Sequence, residues 1–359
     1  MKTEHGIYIG NSNDLAEIAD NDVELVVTSP PYPMIEMWDD LFSSLNPAIG
    51  EALEAGDGRE AFVLMHEELN KTWDEIKRVL VDGGIACINI GDATRKVADS
   101  FRVYQNHAHI TEYFDTIGFE PLPDILWRKP TNSAAKFMGS GMIPPNAYAT
   151  LEHEYLVLFR NGQKGRHFAA GNDVRYESAY FWEERNEWFS DVWEDITGTF
   201  QRLETTDSEL RDRSAAYPLE IPYRLINMFS VYGDTVLDPF WGTGTTSLAA
   251  MIAGRHSIGY EMQAKFTDVF DAEVSEVREL AFRTVSKRIT QHEEFVKQRL
   301  EDGKDFSYEA VHYDFPVTTK QEQSIQLYTI DRVEQTESGY TVTHSPYDPS
   351  DSFVAGVDD

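Results

Sequence analysis

The sequence predicts an α/β fold, a doubly wound and mostly parallel sheet with helices on both faces. Three observations carry that expectation. Short β-like runs alternate along the chain with segments whose apolar residues recur at helical spacing. Glycines stop several of those helical segments. Two motifs built from small and rigid residues follow apolar runs, at the strand ends where ligands bind in open α/β sheets. The 359 residues are 41% hydrophobic and 12% aromatic, enough to bury a sizeable core, so wholesale disorder is excluded.

Taken in order, GIYIG (6–10) and ELVVTS (24–29) read as strands around a helix-like NDLAEIAD (13–20). The segment 61–80 is a helix by spacing and is stopped by VDGG, and IACINI (85–90) is a buried strand. HAHITEYFDTIGF reads as a helix with a glycine stop, leading through PDILWRK to EYLVLF (154–159). A block from about 161 to 216, rich in Trp, Tyr, Arg and acid, has no clear period. Beyond it, PLEIPYRLINMFSVYGD is helical, TVLDPF is a strand entering a glycine turn, TSLAAMIAGR is a helix and HSIGYE a strand. Phe266, Val269, Phe270, Val277, Leu280 and Val285 predict one long amphipathic helix over 265–300. YTIDRVEQTESGYTVTH reads as a hairpin about a Ser-Gly turn, followed by an expectedly mobile tail.

Charge narrows the setting. Asp plus Glu number 62 against 31 Lys plus Arg, a formal net charge of −31. Such an excess repels itself at low ionic strength, whereas 1 M salt screens it within roughly 3 Å. The acid is spread along the whole chain rather than gathered in a tail, which favours adaptation to a salt-loaded, halophilic cytoplasm over an ordinary acidic enzyme. Taken alone, this charge argues against a nucleic-acid partner. No run of 18 uninterrupted apolar residues exists and the N-terminus lacks a signal-peptide layout, so a cytoplasmic location with no membrane contact is expected. The single cysteine, Cys87, excludes a disulfide framework and a cysteine-cluster zinc site. His107 and His109 lie two apart, off a common helix face, and no metal site is expected.

The first motif is DPFWGTGTT (238–246), which leaves a strand and opens a helix. Gly242 and Gly244 permit a sharp turn and close approach of a ligand, and the free amides of the helix start favour an anion. Glu261 closes the next strand, where a carboxylate can accept from both hydroxyls of a ribose. The combination describes a nucleoside carrying a carboxylate or phosphate. A nicotinamide dinucleotide would favour a third glycine where Ser247 stands. S-Adenosylmethionine, with no pyrophosphate, suits the shorter pattern.

The second motif is TSPPY (28–32), after the apolar Leu25, Val26 and Val27. Consecutive prolines fix φ and remove two amide donors, leaving the backbone carbonyls and the Ser29 hydroxyl as acceptors beside the ring of Tyr32. Acceptors next to a stacking ring suit a planar amine.

TSPPY together with DPFWGTGTT resembles the amino-group DNA methyltransferases, and the order of the two motifs is that of their beta class. The resemblance covers about 6–160 and 214–275. It implies a seven-stranded S-adenosylmethionine-dependent methyltransferase fold with a target-recognition insertion and a small C-terminal extension. The expected division is 1–130 for the catalytic half, 131–215 for target recognition, 216–300 for the cofactor half and 301–359 for the extension. It also implies catalytic roles for Ser29, Pro30, Pro31 and Tyr32. Asn11, Tyr217, Asp238, Phe240, Gly242, Gly244, Thr245 and Glu261 are implied in the cofactor site, with Asn11 standing where the family carries Asp. The implied chemistry is direct transfer to a base flipped from double-stranded DNA. Serine in the tetrad leans towards the N4 of cytosine, aspartate towards the N6 of adenine. Carbon-5 methylation would need a cysteine nucleophile, and Cys87 reads as core.

Between 128 and 170 the charge reverses, with six bases and two acids. Lys136, Lys164 and Arg166 are therefore the expected phosphate contacts, and side chains from 131 to 215 the expected base readers. PMIEMWDDLF (33–42) resembles methylases that modify CTAG, an activity found in restriction–modification systems, though a partner endonuclease is not required. The competing readings are an adenine-N6 methyltransferase, an RNA amino-methyltransferase and a catalytically silent DNA-binding regulator on the same fold.

Overall fold

The computed structural model describes residues 1–129, 138–139, 143–145, 147–197 and 217–353. The first strand, β1 (Lys2–Ile9), is followed by turns and then β2 (Val23–Thr28). Helices α1 (Asp39–Leu45), α2 (Pro47–Glu54) and α3 (Gly58–Val79) come next. Asn46 caps α2 through the Ala48 amide, and Asp57 caps α3 through the amides of Arg59 and Glu60, so each start is written locally. Strand β3 (Leu80–Ile90) leads into the hairpin β4 (Ala93–Val97) and β5 (Ser100–Tyr104), then α4 (Asn106–Thr116). Beyond α4 lie β6 (Phe119–Pro121), β7 (Ile125–Arg128), the short ribbon β8 (Met138–Gly139) with β9 (Ala147–Tyr148), and β10 (His153–Asn161). Short helices α5 (Asp173–Glu177) and α6 (Trp182–Trp188) and strand β11 (Val192–Trp193) occupy the block without a sequence period.

The second half contains α7 (Glu220–Phe229), β12 (Thr235–Asp238), α8 (Thr245–Ala253), β13 (His256–Glu261), α9 (Lys265–Ser275) and α10 (Val277–Glu301). A ribbon of β14 (Tyr308–Glu309) with β15 (Pro316–Val317) precedes the hairpin β16 (Tyr328–Thr336) and β17 (Gly339–Pro346). Of the expected mobile tail, the last dozen residues, 354–359 lie outside the described residues.

The sheet runs β11-β7-β10-β3-β2-β12-β13-β1-β17-β16, with β6 also paired to β10. Its contiguous centre, from β7 to β1, is the expected seven-stranded sheet, in which β10 alone is antiparallel to the others. The C-terminal hairpin extends that sheet, because β17 pairs antiparallel with β1. Alternate residues of β2 face opposite layers. Leu25 and Val27 join the core under α7, α8 and α10, and Val26 joins the core under α3 and α4. Cys87 is buried in the first of these, where burial pushes its thiol pKa up. No helix among the described residues is long and apolar enough to cross a membrane.

Two expected helices differ. Residues 13–20 form turns, because tertiary partners take their backbone groups: the Leu15 amide donates to Glu75 Oε2 at 2.9 Å, and the Arg78 guanidinium donates to the carbonyls of Leu15 and Ile18. The single helix expected over 265–300 is two, α9 and α10. At the junction the Glu276 amide bonds back only three residues, to Glu273, and the Ser275 hydroxyl donates to the Ala272 carbonyl.

Candidate active site

The parallel strands end on one edge, bringing Ile9, Thr28, Ile90, Asp238 and Glu261 to a common rim. β10 runs the other way, so its beginning, with Glu154, reaches the same rim. Both sequence motifs therefore meet there, although 210 residues separate Thr28 from Asp238.

Asp238 makes the junction. Its carboxylate accepts from the Thr28 hydroxyl at 2.5 Å, the Thr246 hydroxyl at 2.7 Å and the Phe240 amide at 3.1 Å. Burial raises its pKa to about 6 against the pull of these donors. The residue expected to contact cofactor thus spends both oxygens on tying the catalytic strand to the glycine loop. Thr246 extends the chain of bonds to the buried Tyr217 hydroxyl at 2.5 Å.

In the glycine loop, Gly242 has φ +54° and Gly244 φ +81°, the left-handed region. A Cβ on Gly244 would stand 2.3 Å from the Phe270 ring, so this position has no room for a side chain. The turn presents the Gly242 amide to Glu261 Oε2 at 3.0 Å, while Glu261 Oε1 accepts from the Gln263 amide at 2.9 Å. Burial raises the Glu261 pKa.

Two adjoining cavities open on this rim. One of about 120 Å³ is lined by Asn11, Trp38, Phe240, Gly242, Tyr260 and Glu261 among others. The other, of about 260 Å³, is lined by Ser29, Tyr32, Asn89, Glu154, Tyr217 and Thr245 among others. Ser29, Trp38, Phe240, Gly242 and Phe266 belong to both, so the two chambers share a wall and Ser29 borders each. The smaller chamber joins an accepting carboxylate to aromatic walls, a combination that fits the ribose hydroxyls and the adenine ring of S-adenosylmethionine. Asn11 lines it while its side chain accepts from the Asn13 amide at 3.0 Å.

The larger chamber contains a polar cluster. The Tyr32 hydroxyl donates to Glu154 Oε2 at 2.9 Å and lies 3.3 Å from Ser29 Oγ. Asn89 Nδ2 reaches Glu154 Oε2 and the Tyr32 hydroxyl, each at 2.9 Å, and Ser29 Oγ at 3.4 Å. Lys129 closes the cluster on Glu154 Oε1 at 2.8 Å. Burial and the facing Glu154 carboxylate hold the Tyr32 pKa well above its ordinary value, so its ring stays neutral. Pro30 and Pro31 carry the chain between Ser29 and Tyr32, and they line the larger and the smaller chamber respectively.

Asn89 and Glu154 are not expected in the site from sequence; Lys129 is legible only as one base of the 128–170 stretch, and Trp38 only as part of PMIEMWDDLF. Asn89 left one signal, a polar side chain near the end of an otherwise apolar strand. Of the expected phosphate contacts, Lys136 lies outside the described residues. Lys164 and Arg166 lie at the opposite edge of the sheet: their backbone packs on Gly83, near the start of β3, and Arg166 forks onto Asp234 at 2.6 and 2.8 Å, just before β12. That placement gives Arg166 a structural partner far along the strands from Ser29, and it lends the phosphate expectation no support.

Comparison with known proteins agrees with this geometry. Residues 23–272 match the family model described as DNA methylase. The type II methyltransferase M.MthZI of Methanothermobacter thermautotrophicus is 53% identical over 331 residues, 91% of each chain. M.MjaI of Methanocaldococcus jannaschii is 50% identical over 285 residues, 76% of this chain and 92% of that one. The Thermus thermophilus protein TTHA0409, solved with S-adenosyl-L-methionine, superposes with a TM-score of 0.59 at 28% identity, covering 76% of this chain and 94% of that one. The chain belongs to the N4/N6 amino-methylating DNA methyltransferases, enzymes that use S-adenosyl-L-methionine.

Proposed function

We propose that this enzyme methylates the exocyclic N4 of cytosine in a short duplex site. The observation that carries the proposal is Ser29 in the wall shared by the two chambers, presenting a neutral hydroxyl rather than a carboxylate. S-Adenosyl-L-methionine supplies an electrophilic methyl on its sulfonium. The chain's own residues do the orienting. Ser29 Oγ and the Pro30 carbonyl accept from the amino group of a flipped base and aim its nitrogen at the methyl donor. The neutral Tyr32 ring stacks on the base, held in place through its hydroxyl by Glu154 and Asn89. Glu261 accepts from the ribose of the donor, and Tyr217 and Thr245 wall the side of the larger chamber next to the glycine loop.

CTAG is the recognition site we propose, supported by the PMIEMWDDLF segment, and Lys136 is the phosphate contact we retain from the basic stretch. The test is a methyl-transfer assay in molar KCl with labelled S-adenosyl-L-methionine and unmethylated DNA, the nucleosides being resolved by mass spectrometry. N4-methylcytosine is the expected product. N6-methyladenine would leave fold and cofactor intact and overturn the cytosine reading. Plasmid that is still cut by enzymes blocked by CTAG methylation would remove the site proposal.

A further inference from the structure

The β4–β5 hairpin begins four residues after Asn89, on the rim that carries the catalytic cleft. Its inner face is anchored. Ala93, Val97 and Tyr104 are buried, and the hairpin packs so closely on the start of α3 that a Cβ on Gly58 would stand 2.2 Å from the Tyr104 hydroxyl. Its outer face breaks the usual pattern. The pairing Thr94↔Val103 and Lys96↔Phe101 puts two apolar side chains outward, and Val103 and Phe101 are 39% and 41% exposed. Phe101 stacks on Tyr148, itself 53% exposed, with ring centroids 5.4 Å apart. Three aromatic or aliphatic side chains are therefore displayed in water beside the cleft.

The charges are equally unusual. Arg95 and Arg102 face each other directly across the ladder, a like-charge pairing that destabilises a hairpin. Asp39 neutralises Arg95 through two bonds of 2.7 and 2.6 Å. Arg102 has no such relief: it alternates onto the inner face, its guanidinium lies over the Tyr104 ring, and no carboxylate among the described residues pairs with it. Lys96 has the exposed Asp99 of the turn 3.6 Å away, a loose surface pair that a phosphate can replace. Residues 93–104 hold three bases and one acid in a chain of net charge −31. Against a chain with twice as many carboxylates as bases, the hairpin is a local site for an anionic partner.

We propose that the outer face of this hairpin is a DNA-contact surface, with Lys96 meeting a phosphate and the Phe101–Tyr148 stack meeting the sugars and base edges that flank the flipped nucleotide. The inference rests on duplex DNA being the substrate. It places the duplex across the β4–β5 side of the cleft, on a rigid element outside the stretch 131–215.

Lys96→Gln and Phe101→Ala test it in the full chain, through KM for DNA, kcat, S-adenosyl-L-methionine affinity and the dependence of DNA binding on KCl. Both side chains have a solvent-accessible surface, and cofactor affinity reports an intact fold. Lys96→Gln is expected to raise KM for DNA at least about 3-fold and to lower the slope of log K against log[KCl] by about 0.9, the value of one phosphate contact. Phe101→Ala is expected to raise KM without changing that slope. In both, kcat and cofactor affinity stay as in the wild type. If the wild type methylates DNA and both variants keep its KM and salt slope, the hairpin surface is excluded. A wild type that transfers no methyl group to DNA would overturn the substrate reading, and this proposal with it.

Discussion

Asp238 shows how one side chain can tie the two motifs of a site together. It is 3% exposed and accepts three hydrogen bonds, yet burial still lifts its pKa to about 6 from an ordinary 3.8. The native state therefore holds that proton more tightly than the unfolded chain does. This contribution to stability is fully present below pH 3.8 and is lost as the pH rises through about 6. A difference of that size corresponds to on the order of 3 kcal/mol. Asp238→Asn removes the titration. It also keeps most of the hydrogen bonding, because the Thr246 hydroxyl has the Val27 carbonyl 3.3 Å away as another acceptor. The difference between wild-type and variant unfolding free energies is thus expected to change by a few kcal/mol between about pH 4 and 7. Parallel denaturation profiles across that window would mean that Asp238 keeps its charge in the fold at all these pH values.

At the scale of elements, the legible parts of the chain are those fixed by local chemistry. Gly242 and Gly244 announce a left-handed turn, and Ser29-Pro30-Pro31 announces a stiff exit from a strand, so both motifs are readable without tertiary information. Residues 13–20 mislead because their backbone partners, Glu75 and Arg78, lie sixty residues away on α3. The β4–β5 hairpin is hidden because its turn uses Ala98 at φ +51°, where glycine or asparagine is the usual mark. The segment carrying Trp38 stands out in the sequence for its likeness to other methylases, whereas its position is physical: Trp38 walls both chambers, and Leu41, Phe42 and Leu45 of α1 cover the smaller one. Removing that aromatic face should be felt by the cofactor. Trp38→Ala is expected to weaken S-adenosyl-L-methionine binding about 3- to 10-fold, the range of one aromatic contact. Titration calorimetry without DNA checks it, and an unchanged affinity would take α1 and its approach out of the cofactor site.

The whole molecule must reconcile a polyanionic surface with a polyanionic substrate. Its 62 carboxylates face 31 Lys and Arg, so one-to-one pairing leaves at least half of them without such a partner. At low salt those charges repel one another and also repel DNA, and only local features such as the hairpin oppose the second effect. Screening relieves both, but to different extents. Repulsion within the fold acts over many pairs and falls as the Debye length shrinks from about 10 Å at 0.1 M to about 3 Å at 1 M. Attraction at the few basic contacts weakens over the same range, which leaves recognition to the hydrogen bonds and ring contacts inside the cleft. The thermal midpoint is therefore expected to rise by about 5 °C or more between 0.1 and 1 M KCl, and then to level off once screening is complete. Scanning calorimetry over 0.1–3 M KCl distinguishes the cases. A flat midpoint would show that the carboxylates are spaced widely enough not to repel, and a steady climb past 1 M would assign the stabilisation to salting-out of apolar surface rather than to charge.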